Sequence, residues 1–474
     1  MKLYIDDKIL SIIYEKDYEE KIIRKNFTFK DSSNAFNKGS FDAKKIKTIC
    51  FVKKKKQYNF LYSGFLQDLL LICKNNNIAI TSVKDERTKL DYQKKEFLDK
   101  QLEILFPFKY IDHQIKTLKI MLKANRGIIQ LPTSSGKGDI FINFIKVIKI
   151  PTLVIVNRVL LCEQLYHRFL KAGIKNVGIC NGKKNIDGDI VISTIQSVNK
   201  LSLTKFFCLI GDEIHNFSSE TFQKFFKNVS FPIQFGFSAT PNKGDKYKYA
   251  LIRQFFGNVI YKLEAKKLIE SEVVAEPYIY FINNKCKPTL DWPSAYHKNI
   301  IMNDDRNNKI IEIAKNFNVP ILILIKDVVN EQGIFLKKKI KGIGKNVKFI
   351  SGQTKERNKI INELENGDID VLISTNILDE GISIKNIFLL IIATGGKSFS
   401  STAQKIGRSL RIKKNKNKVI VVDFTDEENL FTERHSDIRL KIYKKLGFCN
   451  IVKIDLEDFL NEKDKIVRNI TKQI

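Results

Sequence analysis

No stretch of about 18 uncharged residues occurs in this chain, so no segment predicts a membrane-spanning helix. The opening residues, Met1 to Lys21, are broken by Asp6, Asp7 and Lys8 and lack the apolar centre of a secretory signal. Paired cysteines are missing too. Cys50, Cys73, Cys162, Cys180, Cys208, Cys286 and Cys449 are scattered, odd in number and without a C-x-x-C pair. This argues against zinc or a disulfide framework and predicts reduced, buried thiols in a cytoplasmic protein. Acidic residues are in short supply: 52 Asp and Glu stand against 82 Lys and Arg, a net charge of +30. A polyanion partner accounts for that excess, because each neutralised phosphate releases counterions. A genome biased towards Lys, Asn and Ile codons would give the same number, and the two readings are compatible.

What is present is ample. The 474 residues, 43% hydrophobic and 28% charged, suffice for about three soluble globular domains. Residues 1–104 read as a small α/β domain without a catalytic motif. The run Lys53-Lys54-Lys55-Lys56 is either a nucleic-acid contact or a solvated loop. The spacing of Phe65, Leu66, Leu69, Leu70, Ile72 and Cys73 predicts a helix after it. Over 105–272 strand and helix alternate. Buried strands are expected at Gly127–Leu131, Thr152–Val156, Asp189–Ser193, Phe207–Gly211 and Ile233–Phe237, with a helix from Val159 that Gly173 stops. The pattern restarts over 273–445, with strands at Pro320–Ile325, Val347–Ile350, Asp370–Ser374, Ile387–Ala393 and Val419–Phe424. Continuous apolar runs indicate parallel sheets covered on both faces. Residues 446–474 read as a charged, helical extension.

Four motifs carry the chemistry. Leu131-Pro132-Thr133-Ser134-Ser135-Gly136-Lys137 follows a strand and opens a helix patterned by Ile140, Phe141, Phe144, Ile145 and Ile148. Small residues let backbone N–H groups close on a phosphate, and Lys137 supplies a point charge. Asp212-Glu213 follows a strand, at the sheet edge where ligands sit in open α/β folds. There an aspartate can hold Mg²⁺ and its neighbour can polarise a water. His215 is expected either to bridge to a polar group near the phosphate or to cap local structure. Ser238 and Thr240, at the end of the next strand, are hydroxyls placed to report phosphate status. Gln404, Arg408 and Arg411 share one helical face, with Gly407 between them, and can deliver guanidinium groups across a cleft to a γ-phosphate. In this order the motifs describe an ATP-driven nucleic-acid motor.

Over residues 105–430 the chain resembles superfamily 2 helicases of the DExH type. Gly381-Ile382-Ser383-Ile384-Lys385-Asn386, Ala393-Thr394-Gly395-Gly396-Lys397-Ser398 and the Gln404–Arg411 helix are similar to the UvsW-type phage recombination DNA helicases. Gly39-Ser40-Phe41-Asp42 and Gly64-Phe65-Leu66 resemble their small N-terminal domain, implicated in DNA binding. The resemblance implies an α/β fold of two tandem RecA-like parallel-sheet lobes behind that domain, ATP and Mg²⁺ as cofactors, and branched or duplex DNA as substrate. Recombination or single-strand-binding proteins would be partners. By resemblance Gln114 recognises adenine, with Tyr110 or Phe108 stacking; Lys137 binds phosphates, Asp212 holds Mg²⁺, Glu213 activates water, and Arg408 and Arg411 meet the γ-phosphate. Glu380 and Gly381 lie at the cleft, and Asn157, Arg158, Ser193, Thr194, Ser351 and Gly352 contact the nucleic-acid backbone, with Lys53 and Lys54 added by their charge.

One departure weakens the pattern. The residue after Lys137, Ser or Thr in the family, is Gly138, so the usual hydroxyl ligand to Mg²⁺ is absent; Thr133, Ser134 or Asp139 are the residues near enough to compensate. An RNA helicase and a nucleic-acid binding protein with a lapsed phosphate loop therefore remain alternative readings. A restriction-system motor subunit is a third, disfavoured because no nuclease constellation accompanies the motifs.

Overall fold

The computed structural model describes residues 1–31, 47–55, 58–88, 112–242, 244–326, 331–354, 356–375, 386–397 and 418–471. Gln404, Arg408, Arg411, Glu380, Gly381, Phe108 and Tyr110 lie outside them. The chain divides into two compact units: Met1–Leu131 with Gly136–Leu263, and Pro132–Ser135 with Glu264–Ile474.

The first unit holds three sheets, one of them the short antiparallel pair Thr28–Asp31 and Lys47–Cys50. At the N-terminus β1 (Lys2–Ile5), β2 (Ile9–Ile13), β3 (Lys53–Lys55), β4 (Tyr58–Tyr62) and β5 (Ser82–Asp85) pair in the order β3-β4-β2-β1-β5. Lys53–Lys55 of the basic run form an exposed edge strand rather than a loop, and Lys56 lies outside the described residues. The strand's charged, unpaired side is a known protection against edge-to-edge association.

The larger sheet is made of β6 (Arg126–Gln130), β7 (Thr152–Val156), β8 (Val177–Cys180), β9 (Asn185–Ile186), β10 (Ile190–Thr194), β11 (Cys208–Asp212), β12 (Ile233–Ser238) and β13 (Val259–Lys262), ordered β9-β8-β10-β7-β11-β12-β6-β13. All neighbours are parallel except β8 and β9. Alternation of side chains sorts its apolar runs onto two faces. Ile129, Val154, Ile192 and Ile210 enter one core; Ile128, Leu153, Val191 and Leu209 enter the other. Two buried faces explain why these strands read as unbroken apolar runs. Helices α1 (Asp112–Lys123), α2 (Lys137–Ile148) and α3 (Val159–Lys171) pack on the first face. Gly173, at φ +74°, follows the end of α3. A further helix, α4 (Lys246–Phe256), joins the N-terminal and large sheets: Ala250 lies in the N-terminal core, while Ile252 and Phe255 lie in the second face of the large sheet.

The second unit is built on seven parallel strands, β14 (Glu276–Lys285), β15 (Ile321–Leu324), β16 (Val347–Ile350), β17 (Val371–Ser374), β18 (Leu389–Ile392), β19 (Lys418–Glu427) and β20 (Asn450–Ile454), ordered β16-β17-β15-β18-β19-β14-β20. The terminal segment is therefore not helical throughout. Residues Asn450–Ile454 add an edge strand, and Phe459 and Ile466 from the helices after it enter this unit's core. Helix α5 (Leu430–Lys445) follows β19. No helix among the described residues is long and apolar enough to cross a membrane.

Candidate nucleotide site

In the larger sheet of the first unit β11, β12 and β6 are neighbours, so three motif-bearing strand ends emerge side by side at its carboxyl edge. The backbone knits them: Leu131 N–H donates to Ser238 O at 3.1 Å and Gln130 Nε2 to Ala239 O at 3.4 Å. After β6 the chain turns through Ser134 at φ +66° and Gly136 at φ +79°, which is the N-cap of α2. The helix's first turn presents its amides and its positive dipole end at this loop. Gly136 is favoured by its backbone and sits against a neighbouring side chain. Its backbone lies in the left-handed region, and a Cβ there would meet Gln114 Nε2 at 2.1 Å. Gln114, half-buried on α1, thereby lays its amide on the loop.

The charged centre is a relay of contacts. Lys137 Nζ lies 3.0 Å from Glu213 Oε1, and Glu213 Oε2 lies 3.3 Å from His215 Nδ1. His215 Nδ1 is 2.9 Å from Ser238 Oγ, which accepts the Thr240 N–H at 3.1 Å. Glu213 itself sits at φ +50°, an uncommon conformation for a residue with a side chain, and begins a short 3₁₀ turn, Ile214–Asn216. That kink turns its carboxylate towards Lys137. Two bonds hold it: Glu213 N–H donates to Asp212 Oδ1 at 3.0 Å, and Asn157 Nδ2 donates to Glu213 O at 3.4 Å.

Burial and the adjacent Glu213 charge raise the Asp212 carboxyl to about 6, with Lys137 opposing. Burial acts on Glu213 in the same direction, but Lys137 and His215 outweigh it and hold that carboxyl well below the usual range. Two adjacent carboxyls are thus driven apart in acidity, a pattern typical of functional sites.

Two family descriptions match this chain in order: the type III restriction enzyme res subunit over residues 107–243, and the helicase conserved C-terminal domain over residues 300–413. The chain belongs to superfamily 2 of the helicases. This helicase is 25% identical to the DNA 3'-5' translocase XPB2 of Sulfurisphaera tokodaii over 384 residues, 69% of this chain and 87% of that one. It is 28% identical to the ATP-dependent DNA helicase uvsW of Enterobacteria phage T4 over 380 residues, 72% of this chain and 74% of the other. Among solved structures, Saccharomyces cerevisiae Dbp5 bound to RNA and ADP BeF3 superposes with a TM-score of 0.58 at 17% identity, over 80% of this chain and 98% of that one. The fold is thus the two-lobe RecA-like α/β architecture, and the enzyme is an ATP-dependent helicase that binds nucleic acid.

Other expected residues fall less neatly. Ser193 and Thr194 end β10 fully buried; their hydroxyls lie on Thr194 O at 3.0 Å and Ser197 Oγ at 3.2 Å. Their hydroxyls are thus engaged within the chain's own turn. Asn157 serves the acidic turn, as above. Arg158 is exposed at the N-cap of α3, Gly352 is exposed, and the Ser351 Oγ accepts the Gln353 N–H at 3.4 Å in the turn after β16. Lys53 and Lys54 are exposed on β3.

Mg²⁺ is commonly held by one or two carboxylates, waters and substrate phosphates, and Asp212 at a strand end fits that chemistry. Gly138 offers no hydroxyl, and Asp139, a candidate to compensate, is instead paired with Arg168 at 2.7 Å. Arg168 belongs to no motif. The only signal for it in the sequence was the missing side chain at Gly138.

Proposed function

We propose that this helicase is a DNA motor that remodels branched DNA (replication forks, Holliday junctions or displacement loops) in recombination or repair in the cytoplasm. The observation that carries the ATPase part is the relay Lys137–Glu213–His215–Ser238, which joins the phosphate loop to the third motif in one line of contacts. In this reading Gln114 recognises adenine and Pro132–Gly138 surround the phosphates. Asp212 holds Mg²⁺. A phosphate that draws Lys137 away relieves Glu213 of its counter-charge, so the carboxylate becomes basic enough to orient and deprotonate water. His215, Ser238 and Thr240 pass that change on. Gln404, Arg408 and Arg411 supply charge to the γ-phosphate, with Glu380 and Gly381 beside them. Arg158, Gly352 and the exposed lysines of β3 contact phosphates of the nucleic acid.

The two DNA-acting relatives named above, each aligned over more than two thirds of this chain, support the DNA reading, and a putative RNA helicase relative aligned over 73% of it keeps RNA as the rival. Recombination or single-strand-binding proteins are the expected partners. Lys137→Ala and Glu213→Gln should each lower nucleic-acid-stimulated ATP hydrolysis at least 100-fold, because each removes a group acting only with the triphosphate. DNA binding and the folding transition should change little. Turnover and unwinding measured on forks, junctions, linear duplex and RNA give the second test. Equal or greater stimulation by RNA would replace the DNA assignment.

A further inference from the structure

The space that a Ser or Thr side chain would fill after Lys137 is occupied by another residue. A Cβ placed on Gly138 would lie 2.5 Å from Nη1 and 3.0 Å from Cζ and Nη2 of Arg168. Arg168 reaches this point from α3, and Asp139, one residue further along α2, accepts from its Nη2 at 2.7 Å. Glycine at 138 and arginine at 168 are therefore matched: a hydroxymethyl group would push the guanidinium aside. The guanidinium is not sealed in the core, since the Arg168 side chain is 45% exposed.

From this geometry we infer that Arg168 is a nucleotide-phosphate ligand standing in for the missing loop hydroxyl, an inference that rests on the loop being the ATP site. The two groups work differently. A loop hydroxyl acts on phosphate through a metal ion, so its contribution needs Mg²⁺. A guanidinium carries a permanent charge and donates directly to phosphate oxygens in a forked geometry. Asp139 serves as the positioning residue, orienting Arg168 against the first turn of α2. The loop is thus not a lapsed phosphate site. It has exchanged a metal-dependent contact for a metal-independent one, so triphosphate binding should survive removal of Mg²⁺ better than a site with a hydroxyl allows. Were Arg168 only an exposed ion-pair partner of Asp139, its removal would matter little.

The test is the affinity of the full chain for fluorescent N-methylanthraniloyl-ATP, measured with Mg²⁺ and with EDTA. The wild type should bind within about ten-fold under the two conditions. Arg168→Ala should lose at least a further ten-fold in EDTA and less in Mg²⁺, and Arg168→Lys should recover part of the loss. Gly138→Ser, by displacing the guanidinium and supplying a hydroxyl, should weaken binding in EDTA while sparing it in Mg²⁺. Lys137→Ala should weaken binding in both. Loss of binding in Lys137→Ala with Arg168→Ala indistinguishable from wild type would overturn the role of Arg168 alone. Unchanged binding in Lys137→Ala would overturn the ATP-site reading itself.

Discussion

At the scale of single residues, the acidic pair makes its own pH prediction. Asp212 is lifted to about 6 by burial and by Glu213, whereas an ordinary aspartate stays ionised down to about 4. For an acid, a raised folded-state value means that protonation is favoured in the fold; that stabilisation is present at low pH and fades as pH rises through 6. The same proton competes with a cation. Between pH 7 and pH 5 the ionised fraction of Asp212 falls about ten-fold. The Mg²⁺ concentration that half-saturates ATP hydrolysis should therefore rise by about that factor. In Glu213→Gln the like charge is gone while burial remains, so Mg²⁺-dependent nucleotide binding should lose only part of this pH dependence. A Mg²⁺ requirement that stays flat from pH 7 to 5 in the wild type would dismiss the raised Asp212 value. Spacing alone revealed that Asp212, Glu213, Ser238 and Lys137 sit at strand and helix ends. It did not reveal which way side chains turn there: Ser193 and Thr194 end a strand just as Ser238 does, yet their hydroxyls close onto their own chain.

At the scale of elements, the second unit depends on a buried charge network that no motif announces. Asp423 on β19 accepts from Arg439 Nε at 2.9 Å and Nη2 at 3.0 Å, and from Tyr443 Oη at 2.5 Å, both donors coming from α5. Arg439 Nη1 also donates to Gly396 O at 2.9 Å, while Arg306 links Asp426 at 3.0 Å to Ala393 O at 2.9 Å. All five side chains are buried. The network ties β19 and α5 to the turn after β18, and the chain leaving that turn leads in sequence to Gln404, Arg408 and Arg411. Removing one member leaves its partner charged and dry. Asp423→Asn should thus cost about 3–5 kcal/mol in urea or thermal unfolding. Tyr443→Phe, which removes a single donor to a charge, should cost about 1.5–3 kcal/mol. Losses below about 0.5 kcal/mol for both would mean the network is structurally idle. The strands themselves were legible, because a run such as Thr152–Val156 with every residue buried has one physical use. Of the edge strands, Val347–Ile350 was legible but two others were not. Lys53–Lys55 is wholly exposed and Asn450–Ile454 nowhere fully buried, so neither carries an apolar pattern that periodicity could detect. The network was invisible for a different reason: its members are far apart in sequence and meet only once the sheet is assembled.

At the scale of the whole molecule, the question is whether a net charge of +30 is working surface or codon bias. The two make different demands on salt dependence. A protein that neutralises Z phosphates of duplex DNA shows a slope of log affinity against log salt of about −0.9 Z, whereas charge that never meets DNA leaves the slope unchanged. The exposed lysines of β3 are the clearest place to ask, because they form an edge strand on a sheet whose own core they do not enter. Changing Lys53, Lys54 and Lys55 together to Ala should not destabilise the fold, since surface substitutions of this kind cost within about 0.5 kcal/mol. If all three contact phosphates, the magnitude of the slope should fall by about 2.7. If the N-terminal sheet engages the branch rather than any duplex, affinity should fall more for a fork than for linear duplex. Equilibrium titrations of wild type and triple variant against both DNAs, from low to physiological salt, read both quantities at once. A triple variant with the wild-type slope and the wild-type fork preference would leave β3 as a solubilising edge and return the excess charge to composition.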